Sequence, residues 1–190
     1  MDKSYIEEKD FKGISYEKIE RPKGEYENCT FSNCIFSGSS LESIFFTDCA
    51  FIHCDLSMTK INQAALKNVT FDNCKLLGLH FDHCNDFLFK VSFDTCMLNL
   101  SSFYKVKIKN TKFISCLLHD VDFCDSDLTE SVFKNCDLMG AIFENTNLTK
   151  VNFRSSFSFN IDPESNNISQ AQFSKESIEG LLYKHNIEIE

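Results

Sequence analysis

The 190-residue sequence has no tryptophan, only six glycines and only two prolines. With 13% aromatic residues it is not a disordered chain, since disordered segments are poor in such side chains. No apolar run approaches the roughly 18 residues of a membrane-spanning helix, and Met1-Asp2-Lys3-Ser4-Tyr5 opens no secretory signal. A soluble, cytoplasmic protein with no membrane partner is expected. Positive charge is in deficit: 19 Lys and Arg against 28 Asp and Glu leave a net charge of -9. That balance disfavours direct nucleic-acid or anionic-lipid binding and suits a basic protein partner. Nucleophile elbow, phosphate-binding loop, HExxH and Cys-x-x-Cys are all missing. The chain is therefore expected to be no enzyme and to need no cofactor, with no catalytic or metal-binding residues assigned. His80 and His83, near Cys84, are the only place where a metal site suggests itself.

What is abundant is Phe (20) and Cys (10), and both recur on a five-residue period. A large apolar residue stands at Tyr26, Phe31, Phe36, Leu41, Phe46, Phe51, Leu56, Ile61, Leu66, Phe71, Leu76 and Phe81. The series slips by two residues, resumes at Leu88 and Phe93, and continues to Phe153. Two positions before each member lies a small or β-branched residue, such as Cys29, Cys34, Ser39, Cys49 or Thr59. This period is neither the 3.6 of a helix nor the 2.0 of a strand. It describes one side of a square coil, and four sides give a coil of 20 residues. At that step, with 22 once across the slip, Phe31, Phe51, Phe71, Phe93, Phe113, Phe133 and Phe153 fall in one column. Cys34, Cys54, Cys74, Cys96, Cys116 and Cys136 fall in another. The slip reads as a small bulge at residues 82–87.

The units Ser126-Asp127-Leu128-Thr129-Glu130, Cys136-Asp137-Leu138-Met139-Gly140 and Thr146-Asn147-Leu148-Thr149-Lys150 resemble the pentapeptide-repeat family. The resemblance implies an all-β fold: a right-handed quadrilateral β-helix of about seven coils, with coils stacked about 4.8 Å apart. Residues 24–175 form this solenoid, and residues 1–23 form an N-terminal cap. Residues 175–190 form a short C-terminal α-helix and tail, with Ser174 as its N-cap. Phe173, Ile178, Leu181, Leu182, Ile187 and Ile189 supply the apolar contacts of that end. They either cover the last coil or pair with a second copy. The family's quinolone-resistance members dimerise through such a segment, so the resemblance implies a homodimer.

Nine of the Cys lie on the inward small-residue track and read as inert core, while Cys124 lies outside it and is the one to test for reactivity. With catalysis set aside, function belongs to the surface. Asp120, Asp122, Asp125, Asp127, Glu130, Asp137 and Glu144 make one stretch acidic, as a solvated face or as a DNA-like surface. A dimer would carry about one net charge per 4 Å, against one per roughly 1.7 Å for DNA. Lys90, Lys105, Lys107, Lys109 and Lys112 make the middle coils basic. Outward Phe45, Phe87 and Phe89 mark an alternative partner face, unless the bulge covers the last two. The resemblance implies a protein partner of the DNA gyrase or topoisomerase IV kind, which such relatives shield from quinolones and other poisons. A scaffold rod for some other partner is the alternative.

Overall fold

The computed structural model describes residues 4–16 and 24–188. The chain winds into a four-sided parallel β-solenoid, because each five-residue unit meets the same three requirements. Its large residue points inward, its small residue points inward two positions earlier, and its backbone turns a corner two positions later. Every such corner between Asn28 and Asn73 takes a left-handed conformation, for example Asn33 at φ 52°, Asp48 at 52° and Asn68 at 56°. Asn, Asp and Gly accept that conformation most readily. Less suited residues hold it too, among them Met58 at 56°, Thr95 at 53° and Leu100 at 62°. Their corners are fixed by the neighbouring coil: the Met58 amide donates to the Leu77 carbonyl at 2.8 Å, and that of Leu100 to His119 at 2.9 Å.

Successive coils pair in parallel at a step of 20 residues, with 22 once across the bulge. Phe11 registers with Phe31, Phe31 with Phe51, Phe71 with Phe93 and Phe113 with Phe133. The rings of Phe11, Phe31, Phe51, Phe71, Phe93, Phe113, Phe133, Phe153 and Phe173 make one continuous stack, with centroids 4.6 to 5.4 Å apart. A second stack, Phe81, Phe103, Phe123 and Phe143, meets the first edge-on, as where Phe103 and Phe113 stand 6.0 Å apart at 88°. Offset stacks and edge contacts are the arrangements that the ring quadrupole favours.

The inward small residues are more than space-fillers. The thiols of Cys54, Cys74 and Cys136 donate to the carbonyls of Phe31, Phe51 and Phe113 at 3.2 to 3.3 Å. The Thr59, Ser131, Thr146 and Ser156 hydroxyls do the same to Phe36, Ile108, Phe123 and Phe133 at 2.8 to 2.9 Å. Each ties a side of one coil to the coil before it. Ser39, Ser101 and Ser126 occupy the same track, yet their hydroxyls are buried without a partner.

Three segments depart from the simple reading. Residues 4–16, expected as a cap, enter the ladder itself: Ser4–Glu7 pairs with Gly24–Glu27, and Asp10–Lys12 with Thr30–Ser32. Residues 1–3, 17–23 and 189–190, Ile189 among them, lie outside the described residues. The bulge begins with a 3-10 turn, Phe81–His83, and its extra residues enter later than expected. Ala65 still pairs with Asn85, but Lys67 pairs with Lys90 and Val69 with Val91. The Asn85 side chain accepts the Phe87 amide at 2.9 Å and starts the detour. Leu88 then takes a left-handed corner at φ 57° and is exposed, and Phe89 turns in against Phe81 at 6.4 Å. The five-residue period puts Leu88 inside, which the structure overturns; of the two positions open to Phe89, outward or covered by the bulge, it takes the covered one.

The C-terminal helix starts where expected, but it is 3-10 in form, over Lys175–Leu181 and Tyr183–His185. Ser174 precedes it without a side-chain cap; its hydroxyl meets that of Ser177 at 2.9 Å instead. Buried Gly180 sets the docking: its carbonyl accepts the Ile161 amide at 2.9 Å, and a Cβ there would collide with the Phe159 carbonyl and ring.

Candidate partner-binding surfaces

The acidic residues of the sequence do not share one face. Asp122 bridges Ser102 and Ile142, Asp127 bridges Lys107 and Asn147, and Asp137 bridges Leu117 and Phe157. These are three different sides of the solenoid, so the acids form a belt around it. Several are also occupied in the structure. The Asp122, Asp127 and Asp137 carboxylates accept the amides two residues on, those of Cys124, Thr129 and Met139, at 2.8, 3.2 and 3.2 Å. Such local turns are what Asp and Asn favour. Asp127 further meets Lys109 at 3.0 Å, Asp137 meets His119 at 2.8 Å, and Glu130 meets Lys150 at 2.8 Å. Partial burial alone would raise the Asp127 and Asp137 carboxyls, but hydrogen bonds from Thr129 and Lys109, and from His119, hold both below the ordinary range. Asp120, Asp125 and Glu144 are exposed, the first two at left-handed corners of φ 55° and 56°.

The aromatic surface separates likewise. Phe45 is half-buried in the ladder, paired with Ala65. Phe89 packs against the core, and only Phe87 stands out, 74% exposed. The bulge opens a cleft of about 520 Å³, lined among others by Phe81, Asp82, Asp86, Phe89, Tyr104 and Lys105. Of the other outward apolar residues, Leu117 is 38% exposed and Ile114 half-buried. Leu100, Met139, Ile142 and Phe157, at 50 to 64% exposure, were not picked out from the sequence, although the five-residue grid already puts each at an outward position.

At the C-terminal end, Phe173 stacks on Phe153 at 5.4 Å, and Leu181 packs on the core. Leu182 is half-buried, whereas Ile178, Tyr183 and Ile187 are about half exposed, at 48, 52 and 56%. Phe157, Phe159, Leu182, Tyr183 and Ile187 line a second cleft of about 520 Å³. Lys184 fastens the segment to the last coil through Asp162 and Glu164, both at 2.7 Å.

Two of the thiols, one in the core and one on the surface, are held in the protonated form. Burial pushes Cys49 up to about 12, and burial with the Asp122 carboxylate pushes Cys124 up to about 11. Neither is a thiolate at neutral pH, which thiol reactivity requires.

Comparison with known proteins agrees with this architecture. A family model for the pentapeptide repeat region matches residues 25–86 and 86–157. No curated protein matches the sequence. A trypsin-treated variant of QnrB1, a plasmid-mediated fluoroquinolone resistance protein, superposes with a TM-score of 0.64 at 15% identity, over 100% of this chain and 95% of that one. HetL, a pentapeptide repeat protein involved in heterocyst differentiation regulation from the cyanobacterium Nostoc sp., gives 0.62 at 15% identity, over 90% of this chain and 87% of its own. At such identities the likeness is one of fold. With the matched repeats covering most of its length, the chain belongs to the pentapeptide-repeat family, and its solenoid is that family's right-handed quadrilateral β-helix.

Proposed function

We propose that the protein is a non-catalytic binding rod that engages a type II topoisomerase, DNA gyrase or topoisomerase IV, and protects it from quinolones or other poisons. The observation that carries this reading is the exposed part of the acidic belt: Asp120, Asp125 and Glu144 project from a rigid rod of net charge -9. A basic channel built for DNA offers a complementary field. The paired acids Asp127, Glu130 and Asp137 serve the rod's own structure first. The half-exposed Ile178, Tyr183 and Ile187 suit a two-fold contact with a second copy, which would present the belt twice.

The test is gyrase supercoiling titrated with this protein, with and without a fluoroquinolone. Supercoiling should recover at micromolar protein. Recovery should fail for the variant carrying Asp120→Lys, Asp125→Lys and Glu144→Lys, since Lys already occupies left-handed corners at Lys105 and Lys150. Absence of rescue by the native protein would sink the topoisomerase reading. A second reading rests on Phe87: an exposed ring beside a cleft suits an adaptor that grips an apolar side chain of another protein partner. That reading predicts binding lost in Phe87→Ser and kept in the charge-reversed variant.

A further inference from the structure

The bulge also collects three side chains, His80, Asp82 and His83, that lie outside the acidic belt. A regular corner at His83 would be left-handed. Instead Phe81–His83 curls into a 3-10 turn, closed by the His83 amide on the His80 carbonyl at 3.2 Å and the Cys84 amide on Phe81 at 3.1 Å. With three residues per turn, positions i and i+3 lie one above the other. The His80 and His83 rings accordingly stand parallel, 4.8 Å apart at 12°. Asp82 lies between them, with Oδ1 3.3 Å from His80 Nδ1 and Oδ2 3.5 Å from His83 Nε2.

From these contacts we infer that His80, Asp82 and His83 form a divalent transition-metal site suited to Zn²⁺. Two ligand atoms on a tetrahedral zinc, each 2.0–2.1 Å from the ion, are about 3.3 Å from each other. The two nitrogen–oxygen separations, one to each carboxylate oxygen, are close to that spacing, and a set of one ligand atom per residue lies within 4.8 Å, so a modest turn of the side chains closes it on an ion. Asp82 Oδ1 is closed off from solvent and accepts no hydrogen bond, the condition in which a carboxylate calls for a cation. The Asp82 side chain is held at 15% exposure, and the imidazoles, at 57% and 49%, are free to swing the last distance. The turn beneath is rigid, because Phe81 is buried and stacked on Phe103 at 4.5 Å. Two imidazoles and a carboxylate favour zinc and its neighbours over magnesium or calcium. Three protein ligands leave a fourth position for water. The ion would clamp the turn from which the Phe87 detour departs.

The test uses the full chain, reduced and metal-free, titrated calorimetrically with ZnCl₂ and, in parallel, with Co²⁺ followed by visible absorption. One equivalent should bind with micromolar or tighter affinity. The cobalt spectrum should show tetrahedral intensity without a thiolate charge-transfer band. Affinity should fall at least tenfold in His80→Ala, His83→Ala and Asp82→Asn, and stay unchanged in Cys124→Ser and His185→Ala. Both imidazoles are on the surface, so His80→Ala and His83→Ala should leave the metal-free circular dichroism and melting curve unaltered. Lack of saturable binding by the native chain would overturn the site. So would undiminished affinity in the variant lacking both histidines.

Discussion

At the scale of single residues, the repeat asks each position for one property, and the exceptions are where stability can be shifted. Leu100 is 64% exposed and holds φ 62°. A left-handed residue with a Cβ costs about 1–2 kcal/mol, and Asn bears it better. Leu100→Asn should therefore raise stability by about 1 kcal/mol, read as a higher urea midpoint at unchanged slope. The inward track gives a sharper pair. The Ser131 hydroxyl donates to Ile108 at 2.9 Å, whereas the buried Ser101 hydroxyl has no partner. Removing a made bond costs about 1 kcal/mol, and removing a buried unsatisfied group relieves a similar amount. Ser131→Ala should destabilise and Ser101→Ala stabilise, each by about 1 kcal/mol. Equal shifts of one sign would mean that the track needs only small size. The period reveals which residues point in, but not which carbonyl each one meets. The reading of the core Cys as small hydrophobes therefore stopped short of their role as donors.

At the scale of the side and the turn, Asp127 and Asp137 show why the acidic surface was only partly legible. Counted along the sequence they join one acidic run; counted around the coil they sit on different sides, each with an amide of its own, Asp127 beside Lys109 and Asp137 beside His119. Both carboxyls lie below the ordinary range when folded, so their stabilisation is complete above the unfolded Asp value of about 4 and is lost as pH falls through the lower folded values. The urea midpoint of the native chain should drop between pH 5 and pH 3. In the variant combining Asp127→Asn and Asp137→Asn the drop should be smaller, since the amide keeps the turn but has no proton to gain. The C-terminal turn makes the complementary case. Ser174 marks its start in the sequence, but the close seat of Gly180 on Phe159 is a tertiary contact, which propensity cannot register. Gly180→Ala should release this segment, seen as faster proteolysis after Lys175 and Lys184 with the solenoid still folded. Equal protection in the variant would show that the contact on Phe159 is not what holds it.

At the scale of the whole molecule, a solenoid is held by contacts between neighbouring coils, so its stability is close to a sum of local terms. The 20-residue period was legible because every coil repeats the same test of register. The bulge was legible only in outline, since a single irregular unit has no second copy to check it against. The choice between Leu88 and Phe89 for the interior was made by the Asn85 turn, which the period does not contain. Deleting Asp86 and Phe87 would leave Cys84-Asn85-Leu88-Phe89-Lys90, a unit with a small residue, Asn and Leu in their proper places. The column step across this coil would return from 22 to 20, and Leu88 could take the inward position that Phe89 now fills from the side. The shortened chain should fold with a single transition and a melting temperature equal to or above that of the native chain, because an exposed detour no longer has to be ordered. It loses the Phe87 ring, so a partner that grips this ring should no longer bind, whereas a topoisomerase that reads the acidic belt should still be protected. A shortened chain that unfolds would show instead that the detour, through Phe89 on Phe81, is part of the core.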